Sequence, residues 1–308
     1  MKILVTGGAG FIGSNIVDAY LAQGHEVFVV DDLSSGNLEN LAPAAKFFKI
    51  DVRDPEIEKI FRENKFDVVN HLAAQMDVRR SVADPLFDAS VNILGTLNLL
   101  ENSVRHGVKK IIFSSTGGAI YGEQDYFPAD EQHPTRPVSP YGIAKLSVEK
   151  YLFFYNVVHG LGYCVLRYAN VYGPRQNPHG EAGVVAIFTS KLLSGEKPVI
   201  NGEGKQTRDY TFVGDVVRAN VLALGYDKPD IFNIGTGKET DVNVLFGHLK
   251  RLTGSSAAET HGPAKQGEQM RSVVESSKAS RILGWHPDVT LEDGLRQTVE
   301  YFKSKTRN

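Results

Sequence analysis

Thr6-Gly7-Gly8-Ala9-Gly10-Phe11-Ile12-Gly13 follows the apolar run Ile3-Leu4-Val5 and opens an amphipathic stretch over 11–21. A strand that ends in a glycine turn and starts a helix leaves unpaired backbone N–H groups at the helix N-terminus, where the macrodipole also favours negative charge. That is a place for a pyrophosphate. Gly8, Gly10 and Gly13 satisfy GxGxxG, and Gly7, Gly10 and Gly13 satisfy the looser GxxGxxG, so glycine stands wherever the turn is tight or the backbone must approach a ligand.

A second β-like run, Glu26-Val27-Phe28-Val29-Val30, ends in Asp31-Asp32, and Asp31 lies 18 residues past Gly13. A carboxylate at that spacing accepts both hydroxyls of an adenosine ribose and repels a 2′-phosphate, so the unit reads as a site for NAD and not NADP. A tight turn followed by a solvated aspartate is the competing account. The strand-helix-strand context disfavours it.

The 308 residues exceed one average domain, and one large or two coupled domains is the expectation. A chain of this length buries about 75% of its unfolded surface, so it needs neither disulfide nor metal to hold a core. The single cysteine, Cys164, sits among apolar neighbours and reads as a core residue of a cytoplasmic chain. Met1-Lys2-Ile3 enters a strand at once without a signal peptide, and no apolar run approaches the roughly 18 residues a membrane span needs. The formal charge of −2 shows no basic excess for nucleic acid, and the nine histidines form no metal-binding spacing.

The first half alternates strand-like segments at 46–51, 67–71, 110–115 and 163–168 with helical patterns at 55–63, 85–106 and 140–159. Such alternation without hairpin turns predicts an α/β fold with a doubly wound parallel sheet, Rossmann-like, whose ligands bind at the carboxyl ends of the strands. Gly7 to Gly13, Asp31-Asp32, Asp51-Val52, Leu72 to Gln75, Ser114 to Thr116 and Tyr168 to Asn170 then share one mouth. The second half has short strands near 198–201, 209–212 and 231–234, helices at 184–194, 214–224, 242–252, 277–283 and 291–303, and long connections. It predicts a smaller mixed α/β lobe over 176–308 covering an NAD domain at 1–175, with part of 210–240 returning to the first domain. The connection 254–269 has a length often associated with function.

The chemistry is expected on Ser139-Pro140-Tyr141-Gly142-Ile143-Ala144-Lys145. Tyr141 and Lys145 are i and i+4 on one helical face, and an ammonium beside a phenol favours the phenolate, making the tyrosine a usable general base. Ser114-Ser115-Thr116 ends a strand at the same mouth, where a hydroxyl can bond to a reacting alcohol.

These segments, together with DDLSSGN, HLAAQ, SVNILGTLNLL, SSTGGAIYGE, LRYANVYGPRQ, TRDYTFVGDVV and FNIGTG, resemble the extended short-chain dehydrogenase/reductase family over nearly the whole chain, and within it the nucleotide-sugar 4-epimerases. The resemblance implies that Tyr141 is catalytic base and acid, that Lys145 orients the nicotinamide ribose, and that Thr116 or Ser115 is the hydroxyl partner. It implies NAD contacts from Gly7, Gly10, Phe11, Ile12, Gly13, Asp31, Asp32, Ser34, Ser35, Gly36, Asp51, Val52, Leu72, Ala73, Ala74, Gln75, Asn92, Ser114, Tyr141, Lys145 and Tyr168. Thr116, Tyr141, Asn170, Arg208, Lys265 and Arg271, with Gly267-Glu268, match segments that hold the nucleotide diphosphate and sugar. The implied reaction is epimerisation at C4 of a UDP-hexose through a 4-keto intermediate, with NAD retained and DDLSSGN clamping the adenosine.

Three departures stand out. The strand-end segment carries one more residue before Tyr121 than the common SSSATVYG form, which leaves Ser115 and Thr116 both open as the catalytic hydroxyl. Lys265 stands where relatives often have arginine, losing the bidentate fork. Ser272 aligns with a position that is aromatic in epimerases restricted to plain hexoses and small in those accepting N-acetyl sugars. A UDP-glucuronate 4-epimerase is an alternative. Dehydratases and decarboxylases of the same fold carry an acid after the hydroxyl, where this chain has Gly117-Gly118. A non-catalytic NAD-binding protein is expected to have lost the tyrosine or lysine. The aromatic run 151–155 continues the catalytic helix, which in relatives pairs with the 85–106 segment across a two-fold axis, so a homodimer is expected. Trp285 reads as a packing anchor and His179 as a solvated loop residue.

Overall fold

The computed structural model describes residues 1–178, 183–265 and 269–306. Strand β1 (Lys2–Thr6) leads through α1 (Phe11–Ala22) to β2 (Glu26–Asp31) and β3 (Lys46–Lys49). Then come α2 (Ile57–Asn64), β4 (Val68–His71), α3 (Val78–Ala83), α4 (Pro85–Ala89), α5 (Gly95–Arg105) and β5 (Lys110–Thr116). After α6 (Pro140–His159) follow β6 (Gly162–Tyr168), β7 (Asn170–Tyr172), α7 (Val184–Leu193), β8 (Ile200–Asn201), β9 (Thr207–Arg208), β10 (Tyr210–Phe212) and α8 (Val213–Leu224). The chain closes with β11 (Asp230–Ile234), β12 (Thr240–Asp241), α9 (Val242–Thr253), β13 (His261–Gly262), β14 (Arg271–Ser272), α10 (Ser277–Leu283) and α11 (Leu291–Thr306).

Seven strands form one parallel sheet in the order β11-β6-β5-β4-β1-β2-β3. The order reverses between β1 and β4, which makes the carboxyl ends of those strands the switch point where such sheets take ligands. Both faces are covered, because successive side chains alternate. Ile3, Val5, Val27, Val29 and Leu166 face Ile16, Val17, Tyr20, Val216 and Ala219 of α1 and α8. Leu4, Phe28, Val69, Ile111 and Phe113 face Ile60, Phe61, Leu99, Leu100, Val148 and Leu152 on the other side. Cys164 lies buried, with no disulfide partner, in the first of these layers.

The remaining strands make three small sheets, β10-β7, β12-β9-β14 and β13-β8, around a separate apolar cluster built on Phe188, Phe246, Leu245, Leu249, Leu295 and Val299. After α8 the chain enters β11, which lies beside β6 at the sheet edge. Trp285 is fully buried and its Nε1 donates to Asp215 O at 2.8 Å, closing the last connection over α8. Short strands at β12, β13 and β14, and helix α3, carry too few residues for a period to be read along the sequence.

One expectation requires correction. The helical pattern at 85–106 is not one helix: α4 and α5 flank a π-helical turn at Ser90–Leu94. Asn92 in that turn donates to Gln75 O and Asp88 Oδ1, both at 2.9 Å, and accepts from Gln75 N at 2.9 Å. The wider turn aims the Asn92 carboxamide at the loop after β4, the kind of local widening that recurs at functional sites.

Candidate active site

At the end of β1 the chain reverses tightly. Gly7 has φ +69°, and a β-carbon there would come within 2.7 Å of Ala73 N. Gly10 N donates to Gly7 O at 3.1 Å, and a β-carbon on Gly13 would lie 2.2 Å from that same oxygen, so α1 reaches the turn only because Gly13 has none. The N-cap residue Gly10 brings no side-chain acceptor, and the first turn, with Phe11 and Ile12, holds no acidic residue. The positive end of α1 therefore stays uncompensated, as a pyrophosphate requires. These residues fit the two phosphates of NAD.

Beside the turn, Asp31 is buried; its Oδ2 accepts from Ala9 N at 3.0 Å and its Oδ1 from Leu33 N at 2.9 Å. Burial pushes this carboxyl above its ordinary value, while the two backbone donors oppose the shift. A β-carbon on Gly36 would lie 2.8 Å from Asp31 Oδ1, so glycine keeps the approach to the carboxylate open. Asp32 is exposed and accepts from Ser34 N and Oγ, at 2.8 and 2.6 Å. Ser35 is exposed as well. Asn37 N and Asn40 Nδ2 bond back to Ala9 O at 3.0 and 3.1 Å, folding the loop over the glycine turn. Past β3, Asp51 is forked by Arg53, which holds its carboxyl below the ordinary value, and Val52 is buried.

After β4, Leu72 N bonds to Thr6 O at 3.1 Å and Ala73 N to Thr6 Oγ1 at 3.2 Å, so Leu72, Ala73 and Ala74 lie against the end of β1. Gln75 is buried between Asn92 and Asp88. His71, also buried, is bracketed by Thr6 Oγ1 at 2.7 Å and Thr96 Oγ1 at 2.8 Å; burial, with Lys145 nearby, pushes it down to about 3. It is a neutral structural imidazole.

The Tyr141-Lys145 pair sits on α6, entered through Ser139, whose Oγ caps Gly142 N at 3.1 Å, and Pro140 at the first turn. Tyr141 is half-buried, and Lys145 Nζ lies 5.8 Å from its ring centroid and 4.7 Å from that of Phe113. Lys145 is 4% exposed and donates to Ser114 O at 2.8 Å. Burial lowers its ammonium to about 8, against Asp88 and Glu149, which favour the charged form.

The strand-end hydroxyls separate by direction. Ser114 Oγ turns to Tyr168 OH at 3.1 Å, on the α1/α8 side, where Asn220 also bonds the phenol at 2.8 Å. Ser115 Oγ turns to the opposite face and donates to Glu149 Oε1 at 2.7 Å. Thr116 Oγ1 accepts from Ala119 N at 3.2 Å. A β-carbon on Gly118 would lie 3.8 Å from Thr116 Oγ1 and 3.9 Å from both Asn170 Oδ1 and Ser272 Oγ. Those three polar groups converge on one spot, although Asn170 and Ser272 come from β7 and β14.

The charged groups of the lobe are disposed differently. Arg271 forks onto Glu239 at 2.9 and 2.8 Å and stacks 3.7 Å over the Phe127 ring. Arg208 Nη1 donates to Thr207 O at 2.8 Å, and Lys265 is exposed. Gly267, Glu268 and His179 lie outside the described residues. Among the described residues no group of three His, Cys, Asp or Glu side chains could hold a metal ion, and no helix is long and apolar enough to cross a membrane.

Reading the sequence missed Glu149, Arg167 and Asp88, all buried around Lys145 and β5. Signals pointed to the first two: Glu149 follows Lys145 by four residues on the same helix, and Arg167 interrupts an otherwise apolar strand.

Comparison with known proteins agrees with this geometry. Residues 3–235 match the family model of the NAD dependent epimerase/dehydratase family. The chain is 46% identical over 305 residues to a putative UDP-glucose 4-epimerase of Methanocaldococcus jannaschii, covering 99% of both chains. The crystal structure of a UDP-glucose 4-epimerase from Thermotoga maritima with UDP-glucose superposes with a TM-score of 0.98 at 53% identity, over 99% of this chain and 100% of that one. A UDP-glucose 4-epimerase of Thermus thermophilus in complex with NAD gives a TM-score of 0.93 at 45% identity, over 98% of this chain and 99% of that one. By its glycine turn, its seven-stranded sheet and these matches along its length, the chain belongs to the NAD dependent epimerase/dehydratase family.

Proposed function

We propose that this protein interconverts UDP-hexoses epimeric at C4, UDP-glucose and UDP-galactose first among them, with NAD held in the β1 turn. The observation that carries the reading is the meeting of Tyr141 and Lys145 with the end of β5, beside the glycine turn. Bound NAD supplies an acceptor, and later a donor, for the C4 hydride. Tyr141 takes the proton of the 4-hydroxyl as hydride leaves, and Lys145, positively charged below about pH 8, favours the phenolate form that makes this possible. Thr116 is the hydroxyl that orients the reacting oxygen, because Ser115 is engaged by Glu149 on the other face. The 4-ketose turns over in the pocket, and Tyr141 gives its proton back to the 4-oxygen as C4 takes hydride on its opposite face. No acidic side chain stands at Gly117-Gly118, which leaves no group there for the dehydration that related enzymes perform.

Ser272 favours a second substrate. It is small, buried and shares the Gly118 spot with Thr116 and Asn170, so an N-acetyl substituent has room where an aromatic ring would exclude it. The test is proton NMR of protein supplied with NAD and, separately, UDP-glucose, UDP-N-acetylglucosamine or UDP-glucuronate. A 4-epimer reaching a fixed ratio without accumulating NADH supports the reading and identifies the sugar. A keto or decarboxylated product, or no change in any tube, overturns it.

The active form is a homodimer. Ile143, Tyr151, Phe154, Val157 and Val158 of α6 are exposed, as are Leu86 and Leu94 on the adjoining segment, and contiguous apolar surface of this kind marks an interface. Sedimentation of Phe154→Glu beside the wild type tests the dimer. A monomeric variant with a dimeric parent is expected, and a monomeric parent removes the proposal.

A further inference from the structure

Glu149 and Arg167 lie behind the strand end, bonded to Ser115 through Glu149 and not to the glycine turn, and each is 3% exposed and tightly partnered. Arg167 donates from Nε to Glu149 Oε1 at 2.9 Å and from Nη2 to Oε2 at 2.5 Å, while Ser115 donates to Oε1 at 2.7 Å. We propose that the Ser115-Glu149-Arg167 cluster is a positioning device that locks the helix bearing Tyr141 and Lys145, in rotation and in height, against the strand end bearing Thr116. The inference rests on the C4-epimerase reading for its kinetic test, and on NAD binding alone for its second test.

The geometry begins with two consecutive residues of β5. Ser114 accepts Lys145 Nζ through its carbonyl, and Ser115 bonds Glu149 through its hydroxyl. Lys145 and Glu149 are one helical turn apart on one face, about 6 Å along the axis. One bond would leave α6 a pivot about β5. Two bonds one turn apart remove it, so the positions of Tyr141 and Thr116 relative to each other become fixed.

Arg167 holds the carboxylate from the next strand. It is the register partner of Ser115 on β6, and its planar fork gives Glu149 a single orientation. Its Nη1 donates to Tyr121 OH at 2.9 Å, and Tyr121 in turn donates to Asn233 Oδ1 on β11 at 2.7 Å. The tie thus draws α6, β5, β6, the segment after β5 and β11 into one network.

Stability does not account for the cluster. Taking two charges out of water is costly, and well-packed apolar side chains in the same volume are often as stable or more so. What this polar trio provides and an apolar trio lacks is directional bonds, beside a carboxylate that favours the charged form of Lys145.

The test compares the wild type with Ser115→Ala alone, Glu149→Ala alone, and the combined Ser115→Ala, Glu149→Met, Arg167→Met variant. In the combined variant Tyr121 keeps its bond to Asn233, so no partner is left buried and unpaired. Glu149→Ala, which strands Arg167, is expected to lose both thermal stability and turnover. The combined variant is expected to regain the wild-type melting temperature and substrate KM while kcat stays about 10²-fold low, the scale of a misplacement near 1 Å. Ser115→Ala is expected to lower kcat severalfold at unchanged melting temperature. Recovery of wild-type kcat together with stability in the combined variant overturns the proposal. If that variant does not fold, wild-type kcat in Ser115→Ala overturns it instead.

Release of NAD, followed by dialysis, reads the placement of Lys145 without any sugar, and is expected to quicken about tenfold in the combined variant. A wild type inert toward every UDP-hexose, with faster NAD release in the variant, breaks the activity reading and keeps the tie. An inert wild type with unchanged release breaks both.

Discussion

The mouth of the main sheet and the small β12-β9-β14 sheet hold their polar groups in opposite ways. At the mouth, Asp31, Asn92, Ser114 and Lys145 are buried, and much of their bonding is to backbone groups at strand ends or helix starts. In the lobe, the Arg271 side chain is 49% exposed and committed to a carboxylate, Glu239. Backbone partners at the mouth stay in place when a ligand arrives, so that half is preorganised and loses little freedom on binding. Were Arg271 to take the substrate diphosphate, it would have to exchange a carboxylate for it. An exposed ion pair contributes only about 0–1 kcal/mol, so the exchange is cheap but not free. The difference between the two regions follows from whether a side chain bonds to backbone groups or to another side chain.

The sharpest way to break this contrast is at the mouth. Tyr141→Phe is expected to lower kcat by about 10²–10⁴-fold while NAD stays bound, as steady-state assay and cofactor content of the purified protein would show. Loss of NAD from that variant would mean that the phenol holds the cofactor instead of moving the proton.

The next largest effect concerns pH. Lys145 lies at about 8 in the folded protein against an ordinary 10.5. Between those values the unfolded chain binds more protons at this group than the folded one, so Lys145 makes stability rise with pH over that window. On the proposed mechanism activity depends on the ammonium and is expected to fall over the same window. The melting temperature of the wild type relative to Lys145→Met is therefore expected to climb from pH 8 to 10 while kcat declines. Parallel slopes would show that Lys145 is not the group that titrates.

A smaller and selective effect is expected in the lobe. Ser272→Tyr should cut turnover of UDP-N-acetylglucosamine by about 10–200-fold and leave that of UDP-glucose within a few fold, measured as kcat/KM for each sugar. Equal losses on both sugars would make Ser272 a packing residue only. The smallest change is Glu239→Gln, which frees Arg271 from its present partner and should lower KM for UDP-sugar by about fivefold at most. A raised KM would show that Glu239 orients Arg271 for the substrate.

Much of the first half was legible residue by residue. Ile3-Leu4-Val5, Gly7 to Gly13 and Asp31 declared a dinucleotide unit because short-range sterics dictate each glycine: Gly7 for its positive φ, Gly13 for the 2.2 Å approach. The 140–159 helix carries its own cap, its own proline start and Gly160 at its end, and the structure has it as Pro140–His159. The 85–106 pattern misled, because the apolar period continues through Ser90–Leu94 while the widened turn is set by bonds from Asn92 to Gln75 and Asp88. Asp88 is one turn upstream, whereas Gln75 comes from the loop after β4, beyond the reach of a helical pattern.

The sequence by itself determined the layered α/β fold, the NAD turn and the Tyr141-Lys145 pair, since each depends on local periodicity, backbone sterics and contacts within one helical turn. Only the tertiary structure decided that Ser115 faces Glu149, that Thr116 meets Asn170 and Ser272 around Gly118, and that Arg271 rests on Glu239. Those outcomes hang on which side of a strand end each side chain takes and on elements brought together from 32 to more than 150 residues apart. The competing positions differ by single hydrogen bonds, which no pattern along the chain records.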